Sequence, residues 1–392
     1  VTEYEQAVQF LYRLQVFGTK FGLEKPRRLA ELAGNPERTL RFLHVAGTNG
    51  KGSTCAMLES MYRHAGSRVG LYTSPHLVRF GERIQVNRRL ISDDEIARLV
   101  NDSKNWLKQF SQKDHPTFFE VVTVIALRYF AEQQCDLVIW ETGMGGRLDA
   151  TNIVAPLASV ITNVHFDHQQ WLGDTIEKIA FEKAGIIKPR IPVITAATGE
   201  ALEVIKRRAH ELDAPLFVVT HEADVEPLPG KHQRMNAAVA LQTARVLEKL
   251  LPASPLCAVS WPGRLQSVGK YILDGAHNLP GIETLQRELT GKPAIIFGVL
   301  RDKDWPAMLQ VLAKRASRLF LVPVKSKRGL PPRELLSVCK GTVCDSLADA
   351  LEQTKEDPQV VITGSLFLVG EAMELLGIAP SPRQDERTLN ER

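Results

Sequence analysis

The 392-residue chain is poor in cysteine, with five (Cys55, Cys135, Cys257, Cys339, Cys344) and no C-x-x-C pair. Their odd number and scatter argue against a zinc site or a disulfide framework. Free thiols in a reducing compartment are the expectation. Long apolar runs are also missing. No stretch approaches the roughly 20 residues that span a bilayer, and the first residues carry Glu3 and Glu5 rather than a signal-like apolar region. A cytoplasmic protein with no membrane partner is therefore expected. There is no long basic run, and the net charge is only +4. Nucleic acid is not an expected partner, whereas small polyanions are compatible with that mild excess. No internal repeat is visible.

What is present is ordinary for a globular protein: 44% hydrophobic and 24% charged residues. The length exceeds one compact core, so two domains are expected. Residues 1–39 read as helix, Gly-rich bend, helix. Apolar runs at Leu40–Ala46, Arg68–Thr73, Leu137–Trp140, Ala158–Thr162 and Pro192–Thr195 then alternate with amphipathic stretches. Strands without polar alternation, separated by helices, imply a parallel sheet covered on both faces. Proline density rises over 251–262 and periodicity is lost, which places the boundary there. A second α/β pattern follows, with strands at Lys270–Leu273, Ala294–Phe297, Leu319–Val322 and Val360–Thr363. The expected units are 1–255 and 256–380, with a disordered tail over 381–392.

The strongest chemical signal is Gly47-Thr48-Asn49-Gly50-Lys51-Gly52-Ser53-Thr54, between an apolar strand and a helix-like run to His64. Strand, glycine turn, lysine and helix make a phosphate cradle: backbone N–H groups and the helix dipole face the anion. The usual spacing is G-x-x-x-x-G-K-[ST], with the last hydroxyl on Mg²⁺. Here Gly52 follows the lysine and Val45 holds the first glycine's place. The hydroxyl must come from Ser53, Thr54 or another segment.

Other polar clusters fall at strand ends, where open parallel sheets bind ligands. Glu141 closes one strand and precedes a glycine-rich stretch. It reads as a magnesium ligand or as a loop cap. Asp167-His168 follows the next strand, and His168 reads as a ligand or as a hydrogen-bonded cleft histidine. Ser74, in Thr73-Ser74-Pro75-His76, is a candidate for the missing hydroxyl. Asp274-Gly275-Ala276-His277-Asn278, with Arg264 just before it, reads as a ribose and phosphate contact or as a tight turn. Lys183 lies on an amphipathic helix, where most lysines are solvated.

Together these stretches resemble the folylpolyglutamate synthase and dihydrofolate synthase family of Mur-ligase-like, ATP-dependent amide ligases. The resemblance rests on H-V-A-G-T-N-G-K-G-S-T from His44, Y-T-S-P-H-L from Tyr72, T-F-F-E from Thr117 and E-T-G-M-G-G-R-L-D-A-T-N from Glu141. It continues with D-H-Q-Q-W-L-G-D-T-I-E-K-I-A-F-E-K-A-G from Asp167, W-P-G-R from Trp261, D-G-A-H-N from Asp274, D-K-D from Asp302 and T-G-S-L from Thr363. It implies a P-loop-type, mostly parallel sheet with helices on both faces, and a smaller C-terminal Rossmann-like α/β domain. It also implies roles. Gly47, Thr48, Asn49, Gly50, Lys51, Gly52 and Ser53, with Asn236, Arg264 and Asp274, would hold ATP. Ser74 and Glu141 would hold one Mg²⁺, and Glu141 and His168 a second. Lys183 would be a carbamylated lysine. Lys51, His168, Lys183 and His277 would serve catalysis. His277 and Ser365 would hold L-glutamate. Phe119 and the loop around Phe21 to Pro26 would line a pterin pocket for dihydropteroate or a reduced folate. A monomer is expected. The resemblance implies both synthase activities, with folylpolyglutamate synthase activity alone as the nearer alternative; a P-loop kinase or nucleotide switch is the competing class, and the glycine after Lys51 argues against both.

Overall fold

In the computed structural model, residues 1–18, 22–247, 251–379 and 386–391 are described. Eight strands form the first sheet: β1 Phe42–Ala46, β2 Val69–Tyr72, β3 Ile84–Val86, β4 Arg89–Leu90, β5 Leu137–Glu141, β6 Ala158–Ile161, β7 Val193–Thr195 and β8 Leu216–Val218. Their order is β4-β3-β2-β5-β1-β6-β7-β8. All pairings from β2 to β8 are parallel, while β3 and β4 add an antiparallel hairpin at the edge. The second sheet contains β9 Gln266–Val268, β10 Tyr271–Leu273, β11 Ala294–Phe297, β12 Leu319–Leu321, β13 Thr342–Val343 and β14 Val360–Thr363, ordered β13-β12-β11-β14-β10-β9. Only the β9–β10 pair is antiparallel there.

The unbroken apolar character of the central strands follows from burial on both faces. Successive side chains point to opposite faces, so β1 and β5 feed two cores. Phe42, Val138 and Trp140 pack under the helices Glu3–Leu14, Asp93–Leu107 and Phe118–Glu132. Leu43, Val45 and Ile139 pack under the helices Lys51–His64 and His232–Leu247. Each fully buried side chain of this kind contributes about 1.5–3 kcal/mol. The second sheet is sandwiched in the same way. Ile296, Val360 and Ile362 face the helix Leu366–Leu375, and Ile295, Phe297 and Val361 face the helices Leu279–Glu288 and Trp305–Ala313.

The two units are joined through a shared patch of core. Leu77 and Val78, from the loop after β2, join the core of the second unit. Gly370 on the helix Leu366–Leu375 lets this loop in, since a Cβ there would lie 2.1 Å from the Leu77 carbonyl.

The expectation of a disordered tail is corrected for residues 386–391. Glu386–Asn390 forms a 3₁₀ turn with Glu386, Arg387 and Leu389 buried. Leu389 enters the core of the first unit, and Arg387 pairs with Glu374 at 3.1 Å. A polar composition suggested disorder, but here one apolar anchor and paired charges dock the segment. Residues 381–385 and Arg392 lie outside the described residues. So does Phe21 of the expected pterin loop; Glu24 to Pro26 open the helix Glu24–Leu32.

Candidate active site

The phosphate loop lies between β1 and the helix Lys51–His64, at the carboxyl ends of the parallel strands. Gly47 and Gly50 are required by geometry. Both have positive φ, and a Cβ would lie 1.9 Å from Thr162 Oγ1 at Gly47 and 2.4 Å from Asn236 Oδ1 at Gly50. Gly52 has a different reason. A Cβ there would come within 2.9 Å of the Trp261 indole nitrogen. The usual hydroxyl is thus displaced by a tryptophan from the segment joining the two units. The first-turn N–H groups of Lys51, Gly52 and Ser53 have no intrahelical acceptor and point at the loop's concavity.

Two lysines converge on this concavity. Lys51 Nζ donates to the carbonyls of Gly47 at 3.1 Å and Thr48 at 3.2 Å, and Lys183 Nζ donates to the same Gly47 oxygen at 2.9 Å. Lys183 is buried on the helix Ile176–Ala184. Burial, and then the nearby Lys51 charge, bring its pKa down from 10.5 to about 7. The solvated reading of Lys183 is therefore corrected: the apolar side of its helix carries it into the site.

Glu141, the last residue of β5, is buried beside these cations. Burial raises its carboxyl pKa, against the pull of Lys51. Its Oε2 accepts from the Ser74 backbone N–H at 2.9 Å, which brings the ends of β2 and β5 together. Glu82 fixes the chain beyond Ser74, its carboxylate accepting from the N–H groups of Leu77, Val78 and Arg79 at 2.7–2.9 Å. His168 sits past β6 in a left-handed conformation, with Nε2 3.9 Å from Asp167 Oδ1. No group of three or more His, Cys, Asp or Glu side chains gathers for a metal among the described residues. Glu141 and Ser74 do offer oxygen, the donor that Mg²⁺ prefers. Magnesium characteristically takes one or two carboxylates and completes its shell with phosphates and water.

The second unit faces this set. Asp274 ends β10 and is buried; its oxygens accept from the N–H groups of Leu265 and Ala276, both at 2.9 Å. The carboxylate therefore holds the turn that presents Arg264. His277 donates Nδ1–H to the Gly275 carbonyl at 2.8 Å, which leaves Nε2 as an acceptor. Burial and the Lys303 charge bring its pKa down to about 4, so the ring is neutral near pH 7. Ser365 caps the helix Leu366–Leu375, its Oγ accepting from Phe367 N at 3.2 Å. Asn236 donates to Gln233 Oε1 at 2.8 Å and stands against Gly50. At the far end, Phe119 lies over Gly143, where a Cβ would touch the ring at 2.4 Å.

Apart from Thr54, which is fully buried, the candidate site residues from Gly47 to Ser365 line one cleft of about 880 Å³ between the units. Sequence reasoning missed the bridge across it. Asn278 Nδ2 donates to Asn49 Oδ1 at 3.0 Å and to Asp167 Oδ2 at 2.9 Å, and Asn49 Nδ2 donates back to Asn278 Oδ1 at 3.2 Å. Lys303 Nζ pairs with Asp167 Oδ1 at 2.7 Å, both side chains under 10% exposed. Burial would raise the Asp167 carboxyl pKa, but Lys303, with His168 and His277, holds it well below the carboxylate range. The charged Asp302-Lys303-Asp304 triplet was the available signal.

A parallel α/β unit with a phosphate loop, closed by a second α/β unit whose polar strand ends face it, defines a Mur-type nucleotide-binding ligase. Residues 45–224 match the Mur ligase middle domain. The chain is 38% identical to dihydrofolate synthase/folylpolyglutamate synthase of Bacillus subtilis, across 96% of this chain and 99% of that protein. A crystal structure of folylpolyglutamate synthase from Thermotoga maritima superposes with a TM-score of 0.84 at 33% identity, covering 98% of both chains. Escherichia coli FolC in complex with DHPP and ADP superposes with a TM-score of 0.86 at 30% identity, covering 96% of this chain and 98% of that one. The chain belongs to the dihydrofolate synthase/folylpolyglutamate synthase family.

Proposed function

We propose that this protein is an ATP-dependent ligase that joins L-glutamate to a carboxylate of dihydropteroate or a reduced folate. The observation that carries the reading is the cleft itself. Lys51 and Lys183 meet at Gly47 on one side, and Asp274, His277 and Ser365 line the cleft from the second unit. Relatives named for both activities, and a relative crystallised with ADP and DHPP, support it.

A carboxylate resists attack by an amine, so it must first be activated. In this reading the acceptor carboxylate oxygen takes the γ-phosphoryl group of ATP, and ADP leaves. The glutamate amine, as its free base, then bonds to the acyl carbon, and phosphate departs from the tetrahedral adduct. Lys51 and the N–H groups of the loop stabilise charge on the moving phosphoryl group, a contribution of about 10²–10³ in rate for one such group. Arg264 and Asn236 hold the nucleotide, with Asp274 fixing Arg264. His277 and Ser365 bind glutamate, the neutral Nε2 of His277 accepting a hydrogen bond from its ammonium group. Phe119 stacks on the flat ring of the acceptor. Glu141, Ser74 and His168 would hold magnesium, which supplies charge neutralisation at the phosphates. A lysine as buried as Lys183, with a pKa near 7, has a nucleophilic free-base fraction. That suits carbamylation by CO₂, which would exchange a buried cation for an anion beside Lys51. The closing of unit on unit keeps water from the acyl phosphate.

We take the protein to act as a cytoplasmic monomer on small molecules, without nucleic acid or membrane. Among the described residues, no helix is long and apolar enough to cross a membrane. The test is purified protein with ATP, magnesium and L-glutamate, given dihydropteroate or tetrahydrofolate in separate reactions, with products read by mass. Addition of one glutamyl residue with matched ADP release supports the reading. ATP turnover without glutamate, and no amide product, refutes it.

A further inference from the structure

The segment Glu386–Glu391 runs along the cleft wall from contacts with the first unit to contacts with the second. Its first anchor is Glu386. The carboxylate accepts from Tyr4 Oη at 2.7 Å and from Phe80 N at 2.6 Å, and the carbonyl accepts from His76 Nε2 at 2.8 Å. Its last anchor is Glu391. That carboxylate accepts from Lys327 N at 2.9 Å and lies 3.4 Å from Arg328 Nε, both in the second unit. Between them, Gln15 Nε2 donates to the Thr388 carbonyl at 2.7 Å.

Asn390 is the residue of this segment that acts on the cleft. Its Oδ1 accepts from Arg83 Nη2 at 2.6 Å, and its Nδ2 donates to the His76 carbonyl at 2.9 Å. Arg83 Nε donates to His76 Nδ1 at 2.8 Å. Two acceptors, one on Nε and one on Nη2, thus fix the plane of the Arg83 guanidinium, and the residue is buried. That group also sits 5.4 Å from the centre of the Phe118 ring. Arg83, Phe118, Phe119, Leu389 and Asn390 line the same end of the cleft. A flat face, a fixed cation and an amide are what a planar, nitrogen-rich ring requires.

We infer that residues 386–391 are a built wall of the acceptor subsite, and that Asn390 is a positioning residue that sets Arg83 against the acceptor ring. The inference rests on the acceptor reading above. Glu391 ties this wall to the Arg328 turn, and Arg328 in turn reaches Asp302 at 3.2 Å, beside the Lys303 bridge. The wall therefore joins the acceptor end of the cleft to the contact between the units.

The experiment compares the unaltered protein with Asn390→Ala, Asn390→Asp and Glu391→Gln. Steady-state constants for pteroate or folate acceptor, ATP and glutamate are determined one at a time, with thermal melting as the folding control. Loss of one hydrogen bond to a charged group corresponds to about ten-fold or more. Asn390→Ala should raise the acceptor KM by that factor, while kcat and the KM values for ATP and glutamate stay within about two-fold of the original. Asn390→Asp keeps an oxygen toward Arg83 and should recover most of the acceptor affinity. Glu391→Gln should raise the acceptor KM less than Asn390→Ala does. An unchanged acceptor KM in a folded Asn390→Ala protein overturns the inference alone, as does a parallel loss in all three constants. Failure of the unaltered protein to use any pterin acid overturns the functional reading and this inference with it.

Discussion

Lys183 provides a quantitative test, because its charge is costly to the empty protein. Its pKa falls from 10.5 to about 7, through burial first and Lys51 second. At about 1.4 kcal/mol per unit, this is on the order of 5 kcal/mol lost from folding stability while the lysine is protonated. Methionine at 183 is unbranched and only one atom shorter, and it removes the charge. Loss of the 2.9 Å bond to Gly47 returns about 1 kcal/mol, so the net gain is about 4 kcal/mol. The pH dependence fixes the sign. Below about pH 7 both folded and unfolded chains carry the proton, and the full penalty applies. Between about pH 7 and 10.5 the unfolded chain binds a proton that the folded chain does not, so the stability of the unaltered protein climbs with pH. The advantage of Lys183→Met should therefore be largest at pH 6 and gone by about pH 10. The assay is urea unfolding of nucleotide-free protein in CO₂-free buffer at pH 6, 8 and 10. A variant less stable at pH 6, or a difference that is flat across this range, would refute the reasoning.

Three further outcomes are expected. Lys303→Met leaves the Asp167 carboxylate without its cation, a loss on the order of 3 kcal/mol for one side of a buried pair; glutamate-dependent ADP release should fall while ATP affinity, from equilibrium titration, changes little. Gly52→Ser restores the usual hydroxyl but drives a Cβ toward the Trp261 ring; the melting temperature should drop by an amount corresponding to about 1–3 kcal/mol, and Trp261→Ala in the same chain should recover it. Glu141→Gln keeps the fold and removes the carboxylate at the end of β5; turnover should fall about 10²-fold or more, and a magnesium titration should show no recovery at high metal.

The sequence carried the central strands because burial on both faces leaves an apolar run that ends at a polar residue, as at Trp140-Glu141. It did not carry β3, β4, β8, β9 and β13. These strands have two or three residues, and several are half-exposed, so their composition blends into loop. Most of the site was legible because parallel strands put Ser74, Glu141, Asp167, Asp274 and Ser365 at one edge of each sheet. Lys183 was legible only through resemblance, since a helical lysine shows nothing of its depth in sequence. The bridge from Asn49 through Asn278 and Asp167 to Lys303 exists only once the two units meet. The tail misled because composition is an average, and docking here depends on Leu389, on the Arg387–Glu374 pair and on Glu386, whose partners Tyr4 and Phe80 are remote in sequence.

The most direct measurement follows oxygen. The acceptor carboxylate is labelled with ¹⁸O, and the inorganic phosphate released during amide formation is weighed. Transfer of one ¹⁸O atom to phosphate for each glutamate joined is the predicted result, because the acceptor oxygen must leave with the phosphoryl group in this cleft. Unlabelled phosphate alongside a glutamylated product would contradict activation of the acceptor by ATP.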